Sequence, residues 1–444
     1  MALRQACGQM RVVRNRDGII VRHLKALEIC AGAGGQALGL EQAGFSHALA
    51  VELDSWAAKT LRANLGDEVV REGDVADRSV WDPAEYADQI DLVAGGVPCP
   101  PFSIAGRQRG ANDERDLFAW AVELAGVVHP RALLLENVRG LSAPRFAAYR
   151  QHVLDRLEQL GYVADWRLLQ ASDFDVPQLR PRFVLVALRP EDWPFFSWPA
   201  PQPTAETVGS ALKEQMSAGG WRHAEEWGRL ANRIAPTIVG GSKKHGGADL
   251  GPTRAKAAWR ELSVDGLGLA DAPPGADALP PAVKAPRLTV EMVARLQGWE
   301  ENDPRHQEWL ANLAGGKTAR YRQIGNAFPP PVARAVGQAI ISALQHKGEG
   351  LSVAPRQDLH DGIYRVLSNS KRFLTSERIL ALAGERLDRE GFEKRMAHLA
   401  EDFVIEVRKT QSGPAYRISD FKAFTGQAGH ARHEYLRSSR SRVS

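Results

Sequence analysis

Ile90-Asp91-Leu92-Val93-Ala94 runs directly into Gly95-Gly96-Val97-Pro98-Cys99-Pro100-Pro101-Phe102-Ser103, and few folds accommodate that succession. The apolar run has the length of a buried strand, and two glycines end it while letting the backbone pass close to a neighbour. Proline on either side of Cys99 fixes φ and keeps the preceding residues extended, which gives the thiol a rigid mount. In an open α/β sheet, the carboxyl ends of strands are where ligands bind. A single cysteine is more often core packing, but packing cysteines sit inside apolar runs, not at a Gly-Gly-to-Pro corner. The setting of Cys99 suits a nucleophile.

A second glycine-rich corner lies upstream. Ala26–Cys30 reads as a strand, Ala31-Gly32-Ala33-Gly34-Gly35 as a tight turn, and Gln36–Ala43 as a helix. Such a turn sets backbone N–H groups and a helix N-terminus against a ligand. His47–Val51 reads as the next strand and ends at Glu52, about twenty residues on, where an acid holds a ribose diol. Ala132–Leu135 delivers Glu136 and Asn137; a carboxylate after three leucines is desolvated, so its pKa is expected to rise. Gln178, Arg180 and Arg182 alternate before the strand Phe183–Leu188 and are expected to share one face as a polar pocket. Ile104–Arg115 reads as a polar flap following the nucleophile, with Arg107 and Arg109 within reach of phosphates. Arg145–Leu160 reads as a helix that serves core packing alone.

With these residues in place, the chain resembles the cytosine-5 DNA methyltransferases. Eight blocks occur in that family's usual order: Leu27–Leu40, Glu52, Gly73-Asp74-Val75, Pro98–Ser103, Glu136-Asn137-Val138, Gln178–Arg182, Arg295–Gly298 and Gln323–Ala327. The resemblance implies a Rossmann-like α/β methyltransferase domain that uses S-adenosylmethionine and no metal. Its cofactor would be held by Ala31, Gly32, Ala33, Gly34 and Gly35, by Glu52 at the ribose and Leu53 beside it, and by Asp74 and Val75 at the adenine. Pro98, Leu117, Asn326 and Ala327 would complete that site. Cys99 would add to carbon 6 of a flipped-out cytosine, Glu136 would protonate ring nitrogen 3, and Arg182 with Arg180 would hold the exocyclic oxygen. Ser103, Arg107, Gln178, Lys243 and Lys244 are the expected DNA contacts. Two departures stand out: Cys30 where the family usually has Phe, and Pro100 where it often has Gln. One branch of the family methylates transfer RNA, but that branch is compact. The insert of about a hundred residues here favours double-stranded DNA as the partner, with a restriction endonuclease as a functional pair and the enzyme itself a monomer.

Composition bounds the rest. At 444 residues, two or three units are expected, and 44% hydrophobic with 25% charged residues is the balance of a soluble globular protein. No run has the length of a membrane span, and Cys7, Cys30 and Cys99 make neither a disulfide framework nor a CxxC pair, which fits the reducing cytoplasm. The net charge of +4 is unevenly spread: residues 351–444 carry 17 Lys and Arg against 12 Asp and Glu, leaving the first 350 nearly neutral. Residues 1–24 read as a basic arm, and 25–188 with 287–346 as the catalytic domain. Residues 189–286 read as an irregular, Trp-, Pro- and Gly-rich target-recognition insert with a basic glycine loop at 240–247 and a linker at 270–281. Leu359–Leu367, Ser376–Ala383 and Arg389–Leu399 read as helices, and Phe403–Lys409 with Ala415–Ser419 as a hairpin. That order predicts a small α+β, winged-helix-like unit at 351–425, before a polar tail at 426–444.

Overall fold

A computed structural model of the protein describes residues 13–14, 20–21, 23–97, 115–240, 248–300, 302–350, 360–411 and 413–421. Within the basic arm, β1 (Val13–Arg14) and β2 (Ile20–Val21) pair as a short antiparallel ribbon. The central sheet then builds in alternation. β3 (Leu24–Ile29) leads to α1 (Gly35–Ala43), β4 (Phe45–Glu52), α2 (Ser55–Leu65) and β5 (Val70–Glu72). β6 (Leu92–Gly96) and α3 (Arg115–Val128) precede β7 (Ala132–Val138) and α4 (Ala147–Gln159). β8 (Val163–Gln170) and β9 (Pro181–Leu188) complete it. The strand order is β5-β4-β3-β6-β7-β9-β8, parallel except for β9, which runs antiparallel to both neighbours. The order reverses between β3 and β6. In an open sheet, that is where a crevice forms beyond the strand ends, so Cys30 and Gly96 face each other across the ligand position.

The strands form here because they are buried on both faces. Leu133, Leu135, Leu185 and Ala187 pack toward α3 and α4, while Leu134, Val184 and Val186 pack against α11 (Pro330–Leu344) on the other side. Continuous apolar runs of this kind belong to covered parallel sheets. Among the described residues, no helix is long and apolar enough to cross a membrane.

Residues 189–286 are more ordered than their sequence suggests. Three helices form there: α5 (Val208–Ser217), α6 (Ala224–Leu230) and α7 (Thr253–Arg260). Trp221, Trp227 and Trp259 are buried around Leu212 and Met216. The cluster continues without a break into α8 (Val290–Leu296), α9 (Pro304–Ala311) and α10 (Lys317–Asn326). The expected irregular insert is thus corrected to a packed one: helices of seven to ten residues are too short to display a period, and tryptophan supplies the bulk that aliphatic repeats would. The expected linker at 270–281 is likewise a strap. The Trp221 indole N–H donates to the carbonyls of Ala278 and Leu279, each at 3.2 Å.

At the C-terminal end, α12 (Gly362–Ser368), β10 (Leu374–Thr375), α13 (Ser376–Ala383) and α14 (Arg389–Asp402) lead into β11 (Phe403–Thr410) and β12 (Gly413–Phe421). The strands form an antiparallel sheet in the order β10-β12-β11. This unit sits on α4, so that helix does more than pack the core. The His152 ring lies 4.0 Å from that of Phe421, its Nδ1 is 2.9 Å from the Tyr364 hydroxyl, and the backbone N–H of His360 donates to Gln151 at 2.9 Å. Burial pushes the His152 imidazole down to about 4, so it is neutral in this joint.

Candidate active site

Two adjoining cavities of about 540 and 560 Å³ open at the strand ends, sharing Cys30, Gly32, Glu52, Leu53, Gly96, Glu136 and Asn326 in their walls. The turn after β3 builds one wall. Cys30 takes a positive φ of 51°, and Gly32 and Gly34 follow at 59° and 90°. The backbone N–H of Gly32 donates to Glu52 Oε2 at 2.7 Å and that of Asp54 to Oε1 at 2.7 Å, which fixes the carboxylate across the turn. Burial raises the Glu52 pKa, opposed by those N–H donors. A Cβ on Gly32 would meet nothing within 4 Å, so that side of the turn opens on the cavity. Gly34 faces the other way, where a Cβ would strike the buried Trp309 ring. Trp309 in turn donates its indole N–H to the Ala33 carbonyl at 2.7 Å. Gly34 lines neither cavity and serves the turn.

The remaining expected cofactor residues divide between the two spaces. Asp74, Val75 and Leu117 line the first, Ala31, Ala33, Gly35 and Ala327 the second, and Leu53 and Asn326 both. Cys30, the smaller residue at the family's Phe position, borders both spaces beside Leu53. Pro98, Cys99, Ser103, Arg107, Lys243 and Lys244 lie outside the described residues.

β7 and β9 supply the charged pair. Glu136 on β7 and Arg182 on β9 belong to neighbouring antiparallel strands, and Arg182 Nε lies 2.6 Å from Glu136 Oε1. Both are about nine-tenths buried. Burial pushes the Glu136 carboxyl above the ordinary glutamate value, while Arg182 and then Arg180 pull it down. The expected rise is observed, with desolvation as its main cause. Asn137, the next residue, donates its Nδ2 to the Val97 carbonyl at 3.3 Å and so ties β7 to the backbone immediately before Pro98.

Gln178, Arg180 and Arg182 are all buried with Leu179 exposed between the first two, so the alternation holds, and Arg180 lines the first cavity with Arg182 while Gln178 does not. Gln178 is fully buried; it donates to the Leu296 carbonyl at 3.0 Å and Gln297 Oε1 at 2.9 Å, and accepts from the Ile238 N–H at 2.8 Å. It cannot touch DNA from there, so its expected role is corrected to bracing. Arg180 spends its two terminal nitrogens on the carbonyls of Ile238, Gly325 and Ala327 at 2.7, 2.8 and 3.0 Å. It lines the first cavity while its terminal nitrogens hold backbone, and its Nε meets no partner among the described residues.

These braces bring in residues that the sequence did not single out. Thr237, Ile238, Val239 and Gly240 form one side of the first cavity. There the chain at Gly240 passes so close to Gly325 that a Cβ on the latter would lie 2.7 Å from the Gly240 nitrogen. The one available signal was the glycine at position 240, which begins a basic loop.

Residues 24–342 match the C-5 cytosine-specific DNA methylase family. The chain belongs to that family. It is a DNA cytosine-5 methyltransferase, and relatives extend the likeness beyond the catalytic part. Type II methyltransferase M.NaeI of Lentzea aerocolonigenes is 59% identical over 427 residues, covering 96% of this chain and 100% of that one. Type II methyltransferase M.NgoMIV of Neisseria gonorrhoeae is 48% identical over 325 residues, 72% of this chain and 98% of its own. Type II methyltransferase M.Eco47II of Escherichia coli is 34% identical over 342 residues, 72% and 79% respectively.

Proposed function

We propose that the enzyme methylates carbon 5 of one cytosine within a specific double-stranded DNA sequence, as the modification partner of a restriction endonuclease. The observation that carries this reading is the buried Glu136–Arg182 pair at the cavity wall beside Gly96, three residues before Cys99. The Type II relatives support the pairing with an endonuclease, since this chain matches M.NaeI over that relative's whole length.

Carbon 5 of cytosine is too weak a nucleophile for methyl transfer until the ring is activated. Cys99 supplies that by adding its sulfur to carbon 6; a free thiol near pKa ~8.5 is only a few per cent ionised at neutral pH, yet cysteine reacts well from that fraction. Addition sends an electron pair toward ring nitrogen 3, where protonated Glu136 donates. Arg182 then offers its remaining donors to the exocyclic oxygen and stabilises the charge developing there. S-adenosylmethionine supplies the methyl group. Gly32 and Glu52 fit its nucleoside, because each Glu52 oxygen keeps a lone pair for a ribose hydroxyl and Gly32 leaves the approach open. Loss of the carbon-5 proton then expels Cys99. A base within a duplex cannot reach this cavity, so the target flips out, at a cost of roughly a few kcal/mol. Residues 189–286 act in target recognition: Thr237–Gly240 wall the cavity and lead into the loop that holds Lys243 and Lys244. Residues 351–425 form a winged-helix-like unit that adds phosphate contacts.

DNA carrying 5-fluorocytosine at the target tests the mechanism. Fluorine cannot leave as a cation, so the protein should remain bonded to DNA through denaturing electrophoresis, only when S-adenosylmethionine is present. The adduct should vanish in Cys99→Ser and persist in Cys7→Ser and Cys30→Ser. A cofactor-dependent adduct in Cys99→Ser overturns the reading.

A further inference from the structure

Among the side chains lining the second cavity, Gln36 and Glu28 are buried with polar atoms that meet no hydrogen-bond partner within the described residues. Gln36, in the first turn of α1, is 3% exposed, and neither its Oε1 nor its Nε2 meets a hydrogen-bond partner. Glu28 on β3 is fully buried; its Oε2 lies 3.1 Å from His47 Nε2, while its Oε1 meets nothing. Both line the cavity that holds Gly32 and Gly35. Packing does not call for an amide at position 36, because Ala37, Leu38 and Leu40 already bury α1. A buried amide without partners is costly, and such groups mark places where something else completes the hydrogen bonds.

We propose that Gln36 recognises the α-amino-acid end of the methyl donor, an inference that rests on the cofactor reading above. An α-amino acid presents an ammonium donor and carboxylate acceptors on one carbon. A primary amide presents an acceptor and two donors side by side, so the two are complementary. Gln36 Oε1 accepts from the ammonium and Nε2 donates to the carboxylate. The surroundings favour the same orientation. No side chain caps the N-terminus of α1, whose positive end attracts a carboxylate, and the unpartnered oxygen of Glu28 offers a second acceptor to the ammonium. Gln36 thereby makes the site selective for nucleosides that keep the amino-acid end.

Calorimetric titration of the full-length protein separates this from plain packing. S-adenosylhomocysteine carries the amino-acid end, and 5′-methylthioadenosine has the same thioether nucleoside without it. Gln36→Leu should weaken S-adenosylhomocysteine by roughly 10- to 100-fold, the worth of charge-assisted hydrogen bonds, and leave methylthioadenosine unchanged. Equal weakening of both ligands, or of neither, overturns the proposal. Wild-type protein that binds neither ligand overturns the cofactor reading instead. If Gln36→Leu does not fold, Gln36→Glu decides: it keeps the acceptor and sets a carboxylate against a carboxylate. It should weaken S-adenosylhomocysteine while binding decarboxylated S-adenosylmethionine, which keeps only the amine, at least as tightly as wild type does. Parallel behaviour of those two ligands in Gln36→Glu overturns the proposal.

Discussion

Replacing Glu136 separates its chemical role from its structural one, because Gln and Leu remove different things. Glu136→Gln keeps the shape and leaves an oxygen beside Arg182 at the present 2.6 Å contact. It removes the transferable proton, so methyl transfer should slow by at least the ~100-fold expected for a lost acid. Glu136→Leu also strands a guanidinium that is about nine-tenths buried. Removing one member of a buried pair costs roughly 3–5 kcal/mol of stability, so Leu should lose both activity and stability where Gln loses activity alone. Single-turnover transfer of a labelled methyl group and urea unfolding measure the two effects. The pH profile adds a sign. Because burial raises the Glu136 pKa, its protonated, donating form survives above 4.5 and is lost as pH rises through the folded value. The Cys99 thiolate grows over the same range. Wild-type rate should climb with pH and then level off or fall as Glu136 ionises, whereas the slower Glu136→Gln should keep climbing until the thiol titrates. Stability carries the same sign: the raised pKa contributes most below the unfolded value and is lost as pH rises through the folded one. Wild-type turnover in Glu136→Gln, or a pH limb common to both proteins, would refute the assignment.

Gly34→Ala should cripple cofactor binding by driving a methyl into Trp309 at φ +90°, whereas Gly32→Ala, whose methyl meets nothing, should fold with roughly 1–2 kcal/mol of left-handed strain; calorimetric titration with S-adenosylhomocysteine and urea unfolding check both. Acidification should loosen the joint at α4. The imidazole of His152, held near 4 against an ordinary 6.5, favours folding fully above 6.5, and that contribution, roughly 3 kcal/mol, is lost as pH falls toward 4. Urea unfolding at pH 7 and pH 4.5 should show a larger loss for wild type than for His152→Gln, and equal losses would remove His152 from the account. A chain ending at Gly350 should methylate DNA at saturating concentration, as M.NgoMIV has no counterpart for over a quarter of this chain. Its thermal midpoint should fall because Ala148, Tyr149 and His152 lose their cover, and the salt dependence of DNA binding should weaken if residues 351–425 contact phosphates.

How much of this was legible in the sequence depended on the distance over which each residue finds its partners. Glu52 and Gly32 are twenty residues apart within one strand–turn–helix–strand unit, so spacing was enough to put both at one site, though not to foresee the hydrogen bond between them. Glu136 was equally readable, because three preceding leucines announce burial whatever lies opposite. Gln178 and Arg180 were readable only in part. Alternation says which residues share a face, as it does from Gln178 to Arg182, and it says nothing of what the face meets. Their partners, at Ile238, Leu296 and Gly325, come from segments 58 to 145 residues away. The outer face of α4 was hidden in the same way: Tyr149, Val153 and Leu157 gave the helix its period, while Gln151 and His152, polar by type, carry the contact with the C-terminal unit.

Those long-range braces also fix how sequence recognition relates to chemistry. The insert has no core of its own; Leu212, Trp227 and Trp259 belong to the cluster that contains Trp299 and Trp309, and Trp309 supports the turn beside the cofactor cavity. Gln178 and Arg180 then pin Ile238 to the framework, and Gly240 lies against Gly325 and Asn326. The region assigned to target recognition is therefore an extension of the catalytic wall, not a tethered module. Exchanging loop residues beyond Gly240 should alter which DNA is bound while leaving the cavity intact. Exchanging a segment that includes Ile238 for one of different length or path would displace the backbone carbonyl that accepts from Arg180 and the backbone N–H that donates to Gln178 together. That would strand two buried polar side chains and open the wall facing Glu136. If residues 189–286 do act in target recognition as proposed, exchanges inside that clamp should cost stability and activity before they change the DNA bound.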